Sequence, residues 1–163
     1  MTELGPLLER VRLAVFDFDG VFTDNRVWIN EQGEETLAFS RSDGLGLRRL
    51  EEVGVRPLIV SMEQNPIVGA RAKKLRVDCV QGVEDKLVVL RERTGELGVA
   101  LKDTAYVGND INDAECLRAV GVPVVPADAW PEVKPLARWV LSRAGGAGCV
   151  REFCDGVWEA RRP

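Results

Sequence analysis

The 163-residue sequence contains no histidine, and its four cysteines form no Cys-x-x-Cys pair. The lack of histidine excludes a Ser-His-Asp triad and every other mechanism that needs an imidazole. Without histidine or paired cysteines, a zinc site is not expected. We interpret the cysteines as free, mostly buried thiols of a cytoplasmic protein.

The sequence also lacks any apolar run near the roughly 20 residues that span a membrane. Residues 1–10 have neither the basic start nor the long apolar core of a signal peptide. Because the formal net charge is −4, neither nucleic acid nor an anionic membrane is expected as the main partner. With 45% hydrophobic residues, the chain is expected to form a single domain over residues 1–163 with a core of its own.

Apolar segments that alternate with helical patterns predict an α/β fold. The predicted strands are residues 13–16, 55–60, 77–80, 104–107, 122–125 and 139–141. The predicted helices are residues 43–53, 65–75, 84–94, 110–119, 130–138 and 150–160. Strands separated by helices indicate a central parallel sheet covered on both faces. A β-hairpin at about residues 26–40 breaks this alternation and is too small to be a cap domain.

The most informative segment is Val15-Phe16-Asp17-Phe18-Asp19-Gly20, where a predicted strand ends in two aspartates. Residues two apart on a strand share a face, so both carboxylates converge on one crevice at the strand's carboxyl end. Two carboxylates at that range need a cation or a shared proton, and Mg²⁺ with a substrate phosphate meets that need. One aspartate could attack phosphorus while the other handles protons. The alternative is an ordinary turn at Asp19-Gly20 with a solvated Asp17.

Three further features follow later strands, at the edge where ligands bind in open α/β sheets. Ser61 offers a hydroxyl to a phosphoryl oxygen, unless it is an ordinary turn residue. Lys86, early in a helix, could neutralise a phosphate and the aspartate pair, although lysines on helices are normally solvated. Oxygen ligands suited to a hard cation cluster in Gly108-Asn109-Asp110-Ile111-Asn112-Asp113. The alternative there is a helix N-cap at Asn109 or Asp110.

In this order and context, the four features resemble the haloacid dehalogenase (HAD) superfamily of aspartate-nucleophile phosphotransferases. The resemblance covers about residues 11–155 and implies a three-layer, Rossmann-like core with a central parallel sheet. The hairpin in place of a cap is similar to that of the capless branch, as are Arg41-Ser42-Asp43-Gly44, the segment 81–86 and the segment 145–152. That branch contains 3-deoxy-octulosonate 8-phosphate phosphatases, ketodeoxynonulosonate 9-phosphate phosphatases and the HAD module of some sialic-acid cytidylyltransferases.

The resemblance implies a catalytic role for each matching residue. Asp17 is expected to attack phosphorus and form an aspartyl phosphate. Asp19 is expected to protonate the leaving sugar oxygen and then to activate the hydrolytic water. Ser61 and Lys86 are expected to bind the transferring phosphoryl group. Such chemistry consists mostly of positioning and charge neutralisation.

The cofactor implied by the resemblance is Mg²⁺. Its expected ligands are Asp17, the backbone carbonyl of Asp19, Asn109 and Asp110, with Asp113 as a direct or an indirect ligand. Asn109 departs from the pattern, because the phosphatases usually have an aspartate there. An amide oxygen can bind Mg²⁺ but carries no charge, so weaker metal binding is expected.

Charged residues after Ser61 bear on the substrate. Arg71 and Lys74 lie three positions apart on one predicted helical face, and with Glu63 they could bind the hydroxyls and carboxylate of a keto-acid sugar. Arg41 could hold a carboxylate or a phosphate near the hairpin. The octulosonate phosphatases have an arginine about where Glu63 stands, so this set resembles the nonulosonate phosphatases more. The alternative is that these side chains are simply solvated.

The hairpin is too apolar on both faces to stand alone in water, since it carries Val27, Trp28, Ile29, Leu37 and Phe39. We expect it to pack against a neighbouring subunit. Relatives with this hairpin form tetramers whose subunits cover one another's sites, so a homotetramer is expected, with residues 145–148 as part of the cover. The alternative is a hairpin folded onto its own core.

The expected function is therefore that of a Mg²⁺-dependent cytoplasmic phosphatase acting on a small-molecule sugar phosphate. Its expected substrate is an acidic ketodeoxy sugar with a terminal phosphate, used in making sialic-acid-like or octulosonate-type surface sugars. Two alternatives stay open. One is a catalytically weak module with a structural, oligomerising role beside a cytidylyltransferase, and the other is a promiscuous small-molecule phosphatase.

Overall fold

A six-stranded, fully parallel sheet forms the centre of the protein in a computed structural model that describes residues 4–162. In chain order, the strands are β1 (Leu13–Phe16), β2 (Trp28–Ile29), β3 (Glu35–Thr36), β4 (Arg56–Val60), β5 (Asp78–Val80), β6 (Thr104–Val107), β7 (Val122–Val125) and β8 (Trp139–Val140). The sheet order is β5-β4-β1-β6-β7-β8, while β2 and β3 pair with each other as an antiparallel hairpin. The predicted α/β architecture with a small hairpin in place of a cap is confirmed.

Six helices cover the two faces of the sheet: α1 (Leu4–Glu9), α2 (Ser42–Glu52), α3 (Ile67–Leu75), α4 (Lys86–Leu97), α5 (Ala114–Ala119) and α6 (Cys149–Arg161). Helices α1, α2, α3 and α6 bury apolar side chains on one face, and α4 and α5 bury theirs on the other. No helix within residues 4–162 combines the length and apolar character needed to cross a membrane.

Strand β1 lies between β4 and β6, and all four of its residues are buried. Its side chains alternate between the two faces, as strand geometry requires. Phe16 joins the cluster of the first face and packs edge-to-face on Phe153 of α6, with ring centroids 5.5 Å apart. Val15 joins Tyr106 and Leu90 in the cluster of the second face. This burial on both sides explains why the strand is a continuous apolar run.

The expected helix at residues 130–138 was wrong, because only the short 3-10 turn Lys134–Leu136 forms there. Pro131 and Pro135 remove backbone donors and restrict the residues before them, which prevents a continuous helix. The expected helix at 110–119 is likewise divided, into a 3-10 turn over Ile111–Asp113 and then α5. Helix α1 was not predicted, although Leu4, Leu7 and Leu8 have helical spacing and pack on the core, because a six-residue segment that contains a proline is too short for the apolar period to stand out.

The strand order explains the position of the site. Asp17 follows β1, Ser61 follows β4, and Gly108 follows β6, which are three adjacent parallel strands. Their carboxyl ends therefore meet at one edge of the sheet. The amide of Asp17 donates to the carbonyl of Val107, the last residue of β6, at 2.9 Å. The backbone of the candidate nucleophile is therefore held by a hydrogen bond of the sheet.

Candidate active site

A cavity of about 530 Å³ opens at this edge of the sheet. The predicted residues that line it are Asp17, Asp19, Ser61, Glu63, Asn109 and Asp110. Residues from three strand ends and the loops beyond them thus share one space. Lys86 and Asp113 lie directly behind it, fully buried.

Lys86 connects the two sides of the site as a buried cation between two carboxylates. Its Nζ lies 2.7 Å from Asp17 Oδ1 and 2.8 Å from Asp113 Oδ1, and only 3% of the residue is exposed. The lysine is aimed by the start of α4, where the side chain of Asp85 accepts from the amides of Leu87 and Val88. This N-cap fixes the first residue of the helix, and that residue is Lys86.

Burial and the ion pairs set the charges of this group. Burial, followed by the charge of Asp113, raises the pKa of Asp17 to about 7, although Lys86 acts in the opposite direction. Burial alone would lower the pKa of Lys86, but Asp17 and Asp113 outweigh it, so the pKa of the lysine is raised. Lys86 is therefore a fixed positive charge at neutral pH. A second cation on the other side of Asp17 would favour the ionised carboxylate that a nucleophile needs.

Asp113 supports the site from behind rather than facing the cavity. Its Oδ1 accepts from Lys86 and from the hydroxyl of Tyr106 at 2.7 Å, and its Oδ2 accepts from the amides of Asn109 and Asp110 at 2.9 and 3.3 Å. Four donors occupy this carboxylate, which leaves it as a support for the lysine and the loop. We therefore expect Asp113 to act on the metal only indirectly.

Tyr106 is a residue of the site that sequence reasoning missed. It is the one polar side chain among the last three residues of β6, and its hydroxyl is fully buried. Burial, followed by the charges of Asp113 and Asp17, raises the pKa of Tyr106 well above its ordinary value, so the phenol is a permanent donor. A buried phenol needs a hydrogen-bond partner, and a tyrosine in an otherwise apolar strand was the feature of the sequence that could have indicated this contact.

We expect Tyr106→Phe to lower kcat by roughly 3- to 30-fold and to change KM little, because the loss of one donor to Asp113 loosens the aim of Lys86. The measurement is steady-state release of inorganic phosphate. Thr104→Val in the same strand is the matched control, since the hydroxyl of Thr104 donates only to the carbonyl of Ala100. If Tyr106→Phe has the kcat of the wild type, the hydroxyl of Tyr106 does not position Lys86 for the reaction.

Asp19 has the environment of a proton donor. It is half-buried at the edge of the cavity, and burial, followed by the charge of Glu63, raises its pKa. The backbone turns sharply after it at Gly20, which has a φ of +81°, and an added Cβ there would lie 2.0 Å from the Asn109 amide. Only glycine fits this position, since a side chain would displace Asn109.

The oxygen atoms around Asn109 suit a hard cation. One terminal atom of its amide lies 3.0 Å from Asp17 Oδ2 and 3.0 Å from the carbonyl oxygen of Asp19. Asp110 lines the same cavity. Within residues 4–162 no three acidic, cysteine or histidine side chains converge as a metal site. The candidate ligands around Asn109 are carboxylates together with neutral oxygens. Such an all-oxygen set fits Mg²⁺.

Ser61 and Glu63 form the cavity wall opposite Asn109. Ser61 is buried, and its Oγ accepts from the amide of Glu63 at 3.1 Å. The carboxylate of Glu63 accepts from the amides of Gln64 and Asn65 at 2.7 and 2.8 Å. The loop thus holds its own serine in place and keeps that hydroxyl's proton available for a ligand.

The other predicted substrate residues lie elsewhere. Arg41, Arg71 and Lys74 line a second cavity of about 390 Å³, together with Arg48 and Arg76. Arg71 donates to the carbonyl of Ser40 at 2.9 Å and lies over the Phe39 ring. Within the described chain these cations line a cavity separate from the one that Glu63 lines, so a joint role in binding one sugar stays a prediction.

The hairpin and the segment 145–148, which both lie near the cavity in the sequence-based prediction of a cover, pack differently. In the hairpin, Trp28 is 75% exposed and Ile29 is 66% exposed, whereas Leu37 and Phe39 pack partly against the core. The segment 145–148 lies against the loop that follows β1 in its own chain, where the amide of Gly146 donates to the carbonyl of Val21 at 3.0 Å. An added Cβ on Gly145 would lie 2.1 Å from the carbonyl oxygen of Gly20, so the contact requires glycine.

The chain is similar in sequence and in structure to known phosphatases. No family model matches the chain. The chain is 36% identical to the 3-deoxy-D-manno-octulosonate 8-phosphate phosphatase KdsC of Salmonella typhi over 148 residues. This alignment covers 90% of this chain and 79% of that protein. A structure of the same phosphatase from Moraxella catarrhalis, with magnesium, phosphate and KDO, has a TM-score of 0.95 at 31% identity and covers 99% and 93% of the two chains. A putative HAD family hydrolase from Streptomyces avermitilis has a TM-score of 0.90 at 42% identity, with 93% and 87% covered.

Proposed function

This chain belongs to the 3-deoxy-D-manno-octulosonate 8-phosphate phosphatase family of HAD hydrolases, and on that premise we propose that it removes the terminal phosphate from an acidic ketodeoxy sugar. The observation that carries the proposal is the buried Lys86 between Asp17 and Asp113, directly behind a cavity that also holds Asp19 and Ser61. A structural module has no need to bury two carboxylates and a lysine beside an open cavity, because that arrangement costs desolvation free energy.

Asp17 is the proposed nucleophile. One of its carboxylate oxygens attacks phosphorus, and the bond from phosphorus to the sugar oxygen breaks to give an aspartyl phosphate. Asp19, with its raised pKa, gives its proton to the leaving sugar oxygen. The same carboxylate then takes a proton from a water that attacks phosphorus, which releases inorganic phosphate and restores Asp17.

The remaining residues bind the phosphoryl group. Lys86 contributes a fixed positive charge beside the nucleophile, and the Ser61 hydroxyl donates from the opposite wall. Asp17, the carbonyl of Asp19, Asn109 and Asp110 would hold Mg²⁺. When bound, Mg²⁺ neutralises the negative charge that the phosphate and the aspartates bring together.

An assay on a panel of sugar phosphates with Mg²⁺ tests this function. We expect release from octulosonate 8-phosphate or nonulosonate 9-phosphate to exceed that from hexose phosphates without a carboxylate by at least tenfold, measured as kcat/KM. Uniform slow release would instead identify a promiscuous phosphatase. No release at saturating Mg²⁺ would identify a structural module that supports a cytidylyltransferase.

We also propose a homotetramer in which subunits complete one another's sites. Arg41, Arg48, Arg71, Lys74 and Arg76 form no ion pair within the described residues, in a chain whose net charge is −4. Five cations around a single acidic lining residue, Glu51, suit the carboxylate of a substrate held by a neighbouring subunit. The free thiols fit the proposed cytoplasmic location.

We expect Trp28→Glu to dissociate the tetramer and to lower kcat/KM for the keto-acid substrate, because a charge is placed in the apolar contact between subunits. Light scattering after size-exclusion chromatography gives the mass. Val88→Glu is the control, since Val88 is an exposed apolar residue on α4, away from the hairpin. A wild-type monomer at micromolar concentration contradicts the proposed assembly.

A further inference from the structure

The Asn109 side chain can face its neighbours in two ways. The residue is 6% exposed, and its amide is packed against Gly20, where an added Cβ would lie 2.6 Å from the amide carbon. This packing fixes where the amide lies. The packing does not prevent a half-turn about the terminal torsion of the side chain, which exchanges the positions of the amide nitrogen and oxygen. That torsion is soft and roughly two-fold in asparagine.

The two orientations have opposite electrostatic consequences. Both atoms that the amide faces, Asp17 Oδ2 and the carbonyl oxygen of Asp19, are acceptors at 3.0 Å. With nitrogen towards them, Asn109 donates two hydrogen bonds, one of them to a carboxylate. With oxygen towards them, three oxygens converge without a donor, which is favourable only when a cation lies among them.

We propose that Asn109 is a two-position switch at the metal site. Its amide nitrogen bonds Asp17 and Asp19 when no metal is bound, and its Oδ1 turns to the same place as a ligand when Mg²⁺ binds. This inference rests on the proposed function, because it takes the same residues as metal ligands. Mg²⁺ therefore competes with two hydrogen bonds of the protein, a competition that an aspartate at this position would not offer.

The switch makes two linked predictions for Asn109→Asp. A carboxylate cannot donate to the two acceptors, so in EDTA at pH 8 the variant has a lower melting temperature than the wild type. It also has no hydrogen bonds to lose when Mg²⁺ enters, so Mg²⁺ binds at least tenfold more tightly by titration calorimetry. Saturating Mg²⁺ thus restores a melting temperature at or above that of the wild type.

Asn112→Asp is the matched control. Asn112 is exposed at the same cavity and gains the same charge without facing Asp17 or Asp19. A second measurement needs no variant: in the wild-type protein, the side-chain NH₂ signals of Asn109, unlike those of Asn112, shift in ¹H–¹⁵N spectra as Mg²⁺ is added.

The outcomes separate this inference from the proposed function. The inference fails alone if the protein binds Mg²⁺ and releases phosphate, yet Asn109→Asp is as stable as the wild type in EDTA or binds Mg²⁺ no better than Asn112→Asp does. It also fails alone if the NH₂ signals of Asn109 do not respond to Mg²⁺. If neither the wild type nor Asn109→Asp binds Mg²⁺ at millimolar concentration and no sugar phosphate is hydrolysed, both the switch and the proposed function are overturned.

Discussion

Asp17→Asn is expected to lower phosphate release at least about 10³-fold, because a neutral amide cannot attack phosphorus to form the covalent intermediate. The change is nearly isosteric, and Lys86 keeps its second partner Asp113 at 2.8 Å, so the fold is expected to persist. The measurement is single-turnover release of phosphate at saturating Mg²⁺. Asp24→Asn is the matched control, since Asp24 lies in the same loop but is exposed and accepts only from a backbone amide.

The same variant is also expected to be more stable than the wild type above neutral pH in EDTA. Burial raises the pKa of Asp17 to about 7, so the folded protein holds this proton more tightly than the unfolded chain does. Stability from this group is therefore full below its ordinary pKa near 3.8 and is lost as the pH rises through about 7. Asparagine removes that loss. Denaturant unfolding from pH 4 to 8 checks the result, and a variant that is less stable at pH 8 contradicts it.

Much of this fold could be predicted because its central strands are buried on both sides. The segments at β1, β6 and β7 are short apolar runs, and the predicted bounds agree with the strands that form. Prediction was poorer where local chemistry opposed the apolar pattern. The segment 130–138 carries apolar residues at helical spacing, yet two prolines deny it the hydrogen bonds of a helix.

The site was predicted as a set of residues at strand ends but not as a network. Lys86 and Asp113 are 27 positions apart, and only the packing of α4 beside the loop after β6 brings their charged atoms together. Spacing along the chain does not show such a pairing. The same limit applies to Arg71 and Lys74, whose spacing correctly gave a shared helical face but not the cavity that this face lines.

Lys86→Met is expected to abolish activity and also to destabilise the protein by about 3–5 kcal/mol, because it leaves two buried carboxylates without their shared cation. Without the lysine, the folded-state pKa of Asp17 rises further, so this carboxyl holds its proton still more tightly in the folded protein than in the unfolded chain. The free energy of unfolding that the variant loses relative to the wild type is therefore smallest near pH 4 and grows towards pH 8. Urea unfolding at several pH values measures it, with the exposed Lys73→Met as the control.

A double variant separates the two roles of this lysine. Adding Asp113→Asn to Lys86→Met removes one of the stranded charges, so part of the lost stability returns, while turnover stays absent because the cation beside Asp17 is still missing. The Asp113→Asn change alone should destabilise the protein, since it removes a partner of Lys86 and weakens the acceptor for Tyr106. A double variant less stable than Lys86→Met alone would mean that Asp113 acts mainly through the loop amides it accepts from, and not through the lysine.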